Sequence, residues 1–169
     1  MKKHCIIVLL YLLGSFIDPA NVIAQSTPKD ASVKVTGEVT TPLDIKAADL
    51  KQFEQIKVTR KDKDGNDHVY TGIALSAILQ KAGVNMGKDL RGKNLTKYIL
   101  VEASDGYHVV FALAELDKDF TDRSIILTDE MDGKPLPAAD GPYRIIVQDE
   151  KKPARCIRQV TGIKVESAQ

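Results

Sequence analysis

Three Asp-Gly pairs, Asp64-Gly65, Asp105-Gly106 and Asp132-Gly133, punctuate runs of strand-forming residues. "EQIKVTRKD" and "NDHVYTG" flank the first, "KYILVEAS" and "YHVVFAL" flank the second, and "RSIILTDEM" leads into the third. Asp-Gly between alternating apolar and polar residues supplies the positive φ values of a tight hairpin turn. A chain that reverses this often builds antiparallel pairs. A doubly wound parallel sheet would instead need a helical crossover after each strand.

The remaining segments fit that frame. "VKVTGEV" (Val33 to Val39) alternates as a half-buried strand, and "TTPLDIKAADLKQF" turns into a short helix near Ala47 to Gln52. In "GIALSAILQKAGV", Leu75, Ile78, Leu79 and Ala82 fall at i, i+3, i+4 and i+7, and Gly83 supplies the stop. After a loop rich in Gly and Lys, "ALAEL" reads as a turn of helix and "RSIILTDEM" as a buried strand. "KPLPAADGP" is too proline-rich to be regular, and "YRIIVQD" and "RQVTGIKVE" are the last two strands. About eight strands and two or three short helices result. The fold class is α+β, a mixed, mainly antiparallel sheet with short helices.

The N-terminus sets the compartment. "MKKHCIIVLLYLLGSFIDPANVIAQ" has a basic head, an apolar run from Cys5 to Leu13 and small or apolar residues at Val22-Ile23-Ala24. That is the pattern of a secretory signal peptide over 1–24, with an apolar core too short to span a bilayer. The protein is expected to be exported, periplasmic or secreted, with no membrane span once the leader is removed. A flexible segment over 25–32 and a folded domain over 33–169 follow. Removing the leader takes Lys2, Lys3 and Asp18 from totals of 24 Lys+Arg and 23 Asp+Glu, leaving 22 of each. A neutral domain offers no electrostatic case for nucleic acid. Only Cys156 then remains, so neither an internal disulfide nor a cysteine metal cage can form.

No glycine-rich phosphate loop, metalloprotease helix, nucleophile elbow or EF-hand loop is present. His68 and His108 each lie in a strand beside a tyrosine, and strand histidines are mostly satisfied or surface residues. Asp62/Asp64 and Asp129/Glu130/Asp132 sit at hairpin ends, where carboxylates cap turns. Asp105-Gly106-Tyr107 and Asp140-Gly141-Pro142 are turn chemistry unless their loops converge on one cleft. The densest candidate is "QDEKKPARCIRQ". Its Lys151, Lys152, Arg155 and Arg158 lie between two strands, where a loop can grip an anion by charge and forked hydrogen bonds. The alternative is a solvated loop balanced by Asp149 and Glu150.

Five segments occur in an order that resembles the oxidoreductase molybdopterin-binding domain, the domain of sulfite oxidases and related enzymes. They are "LDIKAADLKQFEQIKVT", "YTGIALSAILQKAGV", "YILVEASDGYHVVFALAEL", "DGKPLPAADGPYRIIV" and "KKPARCIRQVTGIKV". The small, exported, single-domain members are the most similar, over roughly Val33 to Val165. The resemblance implies a mixed α+β fold and molybdopterin, the molybdenum cofactor, with a periplasmic redox partner if the chemistry is retained. It also implies that the loop before the last strand helps bind the pterin's terminal phosphate. Lys151, Lys152 and Arg155 match that region, and His108 is expected to face the same cleft.

One departure bears on activity. Active members bind molybdenum through a cysteine thiolate in the stretch matching Thr59 to Asp67, and "TRKDKDGND" contains no cysteine. Lysine and aspartate do not replace a soft, strongly donating thiolate. At Cys156 similar sequences commonly carry tryptophan, so the cysteine either packs inertly there or is activated by Arg155 and Arg158. Two functions remain open. One is an oxidoreductase subunit holding a molybdenum-pterin cofactor through the basic loop, with no metal ligand assigned. The other is a non-catalytic binding or adaptor module for another small anionic ligand or a protein partner.

Overall fold

The structure is a computed structural model that describes residues 31–168. The leader and most of the expected flexible segment lie outside those residues. Among them are ten strands in two five-stranded sheets.

The first sheet has the order β2-β1-β10-β5-β6. It comprises β1 (Ser32–Gly37), β2 (Leu43–Lys46), β5 (Lys97–Ala103), β6 (His108–Ala112) and β10 (Val160–Ser167). β1 runs parallel to β10 and the other neighbours are antiparallel. The second sheet contains β3 (Ile56–Lys61), β4 (Asp67–Ala74), β7 (Ile125–Met131), β8 (Lys134–Pro135) and β9 (Arg144–Val147). β3, β4 and β7 are successive antiparallel neighbours. The far edge of β7 pairs with β9 along Ile125–Thr128 and with β8 along Glu130 and Met131. The mixed, mainly antiparallel α+β class is what the hairpin signals predict.

The Asp-Gly turns close as expected. Gly65, Gly106 and Gly133 all have positive φ, and a Cβ on any of the three would meet nothing within 4 Å. Conformation, not crowding, selects glycine there. The helix α2 (Leu75–Lys81) buries Leu75, Ile78 and Leu79, each worth about 1.5–3 kcal/mol when removed from water. Gly83 ends it at φ +79°, and a Cβ there would meet Thr40 at 2.7 Å. The close approach lets the Thr40 and Thr41 amides donate to the Ala82 carbonyl.

Tertiary contacts changed the regular elements in four places. "LDIK" was expected as a turn and is β2, because β1 offers an edge and Ile45 alternates inward between exposed Asp44 and Lys46. The helix α1 stops at Leu50, only Ala47–Leu50, with the Lys46 amide donating to the Asp49 carboxylate at 2.9 Å. The Gly/Lys-rich loop contains two 3₁₀ turns, Gly87–Asp89 and Gly92–Thr96. Lys134–Pro135, expected as irregular, is carried back onto β7 by the Asp132-Gly133 turn.

The main core lies between the sheets and under α2, with Ile73, Leu75, Val101, Phe111, Leu127, Ile145 and Ile163 essentially buried. A smaller cluster of Val58, Tyr70, Ile126, Leu136 and Ile146 forms on the second sheet. Ile145 and Ile146 therefore point into different clusters. Ile125–Leu127 of β7 and Ile145–Val147 of β9 read as apolar runs because both of their faces are covered.

Candidate functional site

Five segments converge on one cleft of about 960 Å³. They are the β3–β4 hairpin tip, the β5–β6 turn, the end of β7, the β8–β9 loop and the basic connection from β9 to β10. The Asp105 and Asp140 turns do meet here, the condition under which their sequence would matter for function.

The floor is a buried ionic network. Alternation along β3 turns Val58 and Arg60 inward, and Tyr70 lies inward on β4. The Arg144 guanidinium donates from Nη1 to the Tyr70 hydroxyl at 2.8 Å and to Asp140 Oδ2 at 2.9 Å, and Asp62 Oδ2 lies 3.4 Å away. Tyr70 donates its own proton to Asp62 Oδ2 at 2.5 Å. Burial, then the bond to Asp62, pushes the Tyr70 hydroxyl well above its ordinary pKa, so it stays a donor. Arg60 donates from Nη1 to the Val147 and Glu150 carbonyls, and its Nε lies 3.4 Å from Asp62 Oδ1. That last contact is in ion-pair range but makes no hydrogen bond. Both the Arg60 and Arg144 Nε atoms are buried without a hydrogen-bond partner.

The rim is held by His68. Its Nδ1 lies 2.6 Å from Asp132 Oδ2 and its Nε2 lies 2.9 Å from Asp64 Oδ2. Hydrogen bonds first to Asp132 and then to Asp64 raise the imidazole to about 9, so it is a cation at neutral pH. The reciprocal bond, with help from the Asn66 amide, lowers Asp64 to about 2. Asp132 also accepts the Val69 amide at 2.8 Å, which joins the hairpin tip to the end of β7.

The basic connection divides its cations. Pro153–Arg155 forms a 3₁₀ turn, with proline at the start where its missing amide costs nothing. Lys152 and Arg158 line the cleft, and Arg158 reaches Asp140 Oδ1 at 3.3 Å. Arg155 turns elsewhere. It forks onto Glu150 with two 2.9 Å bonds, meets Glu115 at 3.2 Å, and lies 4.9 Å from the centre of the Phe111 ring. Lys151 is exposed and outside the cleft wall. His108 is on the outer face of edge strand β6, half exposed and 3.8 Å from Glu102, and does not line the cleft. The fold thus brings together Lys152 with Arg158, and leaves Lys151, Arg155 and His108 outside.

Sequence reasoning reads Asp62 and Asp140 as turn residues first and does not single out Tyr70 or Arg144. One signal was available: Arg144 is a lone cation inside "YRIIV", an otherwise apolar strand. Such a residue needs a built counter-ion.

Cys156 lies at the base of the cleft, only 3 % exposed, with the Val147 amide donating to its sulfur at 3.4 Å. Burial pushes the thiol up despite the arginines nearby. It packs in the main core with Ile157 and Val160. The thiolate that a nucleophile or metal ligand requires is disfavoured there.

These donors decide what the site fits. Among the described residues no group of three or more His, Cys, Asp or Glu side chains is arranged to hold a metal. Thr59 to Asp67, where the resemblance implies a thiolate, forms the end of β3, the hairpin turn and the first residue of β4, with no sulfur. The residues therefore do not fit a thiolate-held molybdenum. They do fit an anionic group. The wall carries Lys63, Arg144, Lys152, Arg158 and protonated His68 against Asp62, Asp64, Asp105 and Asp140.

Comparison with known proteins agrees with the fold. No curated protein matches the chain. Among solved structures, the sulfane dehydrogenase SoxCD from Paracoccus pantotrophus superposes with a TM-score of 0.66 at 16% sequence identity. The match covers 83% of this chain and 39% of that one, so this chain spans well under half of its length. At that identity the likeness concerns the fold alone. A family model described as "Oxidoreductase molybdopterin binding domain" matches residues 20–169. With that match over nearly the whole sequence, the chain belongs to the oxidoreductase molybdopterin-binding domain family.

Proposed function

We propose that this chain is an exported binding domain that takes an anionic, phosphate-bearing ligand in its cleft without a cysteine–molybdenum bond. The observation that carries this reading is the donor set. Lys152 and Arg158 supply point-charge and forked donors at the cleft wall, while Cys156, the single cysteine among the described residues, is buried in the core. Export rests on the leader pattern, which the sequence of residues 1–24 supports. The cofactor of the family is one ligand of this class, gripped through its phosphate.

Two measurements test the reading. Protein recovered from the periplasm of cells that make the cofactor is expected to hold no stoichiometric molybdenum. Metal bound at one per chain would overturn it in favour of an oxidoreductase subunit. Calorimetric titration with pyrophosphate is expected to show binding that Lys152→Glu with Arg158→Glu weakens at least about tenfold, or 1.4 kcal/mol. Unchanged affinity in the double variant would remove the basic connection from the site.

A further inference from the structure

Two buried guanidinium groups, Arg60 and Arg144, and the half-exposed Arg158 at the cleft wall face two carboxylates, Asp62 and Asp140. One positive charge is left over. Arg144 is only 5 % exposed, and its Nε and that of Arg60 have no hydrogen-bond partner. Buried cations in that state favour another anion, since each unmatched donor in a dry site is costly.

The two carboxylates are not held alike. Asp62 is fixed from three sides by Tyr70, Arg144 and Arg60. Asp140 is held only by Arg144 and Arg158, one arginine on each oxygen. Its backbone is pinned, the amide donating to Pro137 and the carbonyl accepting from Gln159, so the side chain can turn while the loop stays. A carboxylate spanning two arginines presents the oxygen geometry of a phosphate.

We infer that Asp140 is an intramolecular occupant of the cleft's anion position, and that a dianionic phosphate group binds by exchanging for its carboxylate on Arg144 and Arg158. The charges favour exchange by a dianion. With Asp140 turned out, the three arginines share Asp62 and two ligand charges, and this cluster is neutral. This rests on the proposed anion-binding function and adds to it a residue that sets the ligand's charge and limits its affinity.

Inorganic phosphate and phenyl phosphate, titrated into wild type, Asp140→Asn and Asp105→Asn at pH 7.5, test it. Asp105 lines the same cleft without an arginine partner, so its variant removes equal charge without freeing a guanidinium. Asp140→Asn is expected to bind phosphate at least about tenfold tighter than wild type, and Asp105→Asn within about threefold. Equal gains in both variants, or none in Asp140→Asn, overturn the exchange. Tighter binding of phenyl phosphate marks a monoester as the ligand; equal binding marks free phosphate. Binding by Asp140→Asn alone would retain the exchange and reject the proposed function of the native chain. No binding by any form rejects both. If Asp140→Asn does not fold, the Asp140 carboxyl ¹³C resonance of wild type decides. A shift on saturation with phosphate supports displacement, and an unmoved resonance while phosphate binds overturns it.

Discussion

The β3–β4 and β5–β6 hairpins share nearly the same local pattern. Each alternates, turns on Asp-Gly, and returns with a histidine beside a charged cross-strand partner, Arg60 opposite His68 and Glu102 opposite His108. Both tips line the cleft, but only the first carries its histidine into it. The first packs its tip against the β7–β8 turn, so Asp62 reaches the buried arginines and His68 lies between two carboxylates. The second ends on an edge strand, where His108 faces water, and its turn is tied to the β9–β10 connection by the Tyr107 hydroxyl on the Ala154 carbonyl and by Ser104 on Gln159. Local sequence makes a hairpin; its neighbours decide what the hairpin contributes to the site.

Asp62→Ala leaves Arg60 and Arg144 with one carboxylate fewer and removes the acceptor of the Tyr70 proton. It is expected to cost about 2–4 kcal/mol, read as a lower urea midpoint at unchanged slope. A loss below about 1 kcal/mol would mean that the network does not anchor the hairpin.

His68 gives a smaller effect with a pH signature. Its pKa is raised from 6.5 to about 9, so its contribution is complete below 6.5 and is lost as pH rises through 9. Wild-type stability is expected to fall between those limits, and His68→Asn to flatten that slope. Parallel profiles for the two proteins would show that the latch is not formed. Asp64 and Asp132, both lowered, act in the opposite sense. Their contribution is present above 3.8 and fades as pH falls, for Asp64 through about 2.

His108→Asn is expected to change the urea midpoint by no more than about 0.5 kcal/mol, since a half-exposed pair at 3.8 Å contributes little. A loss comparable to that of Asp62→Ala would erase the distinction between the hairpins.

Much of the architecture is legible without coordinates. The Asp-Gly turns, the stripe of Leu75, Ile78 and Leu79 and the apolar run of β7 are local patterns with local causes. β2 is not legible, because "LDIK" becomes a strand only when β1 lies beside it. The site is legible in part. Lys152 and Arg158 stand out by charge density, yet identical reasoning selects Arg155, which Glu150 and Glu115 occupy.

The sequence alone determined the turns, the antiparallel class, the absence of a thiolate between Thr59 and Asp67, and the cations available near the C-terminus. Tertiary structure decided which of those cations face the cleft and which carboxylates neutralise them. Asp140 and Arg144 lie four residues apart, but Asp62 comes from a distant hairpin, and no local spacing brings it to them. Turn formation depends on a few adjacent dihedral angles. An ion pair inside a protein depends on distance and on exclusion of water, and both are set only when the sheets close around it.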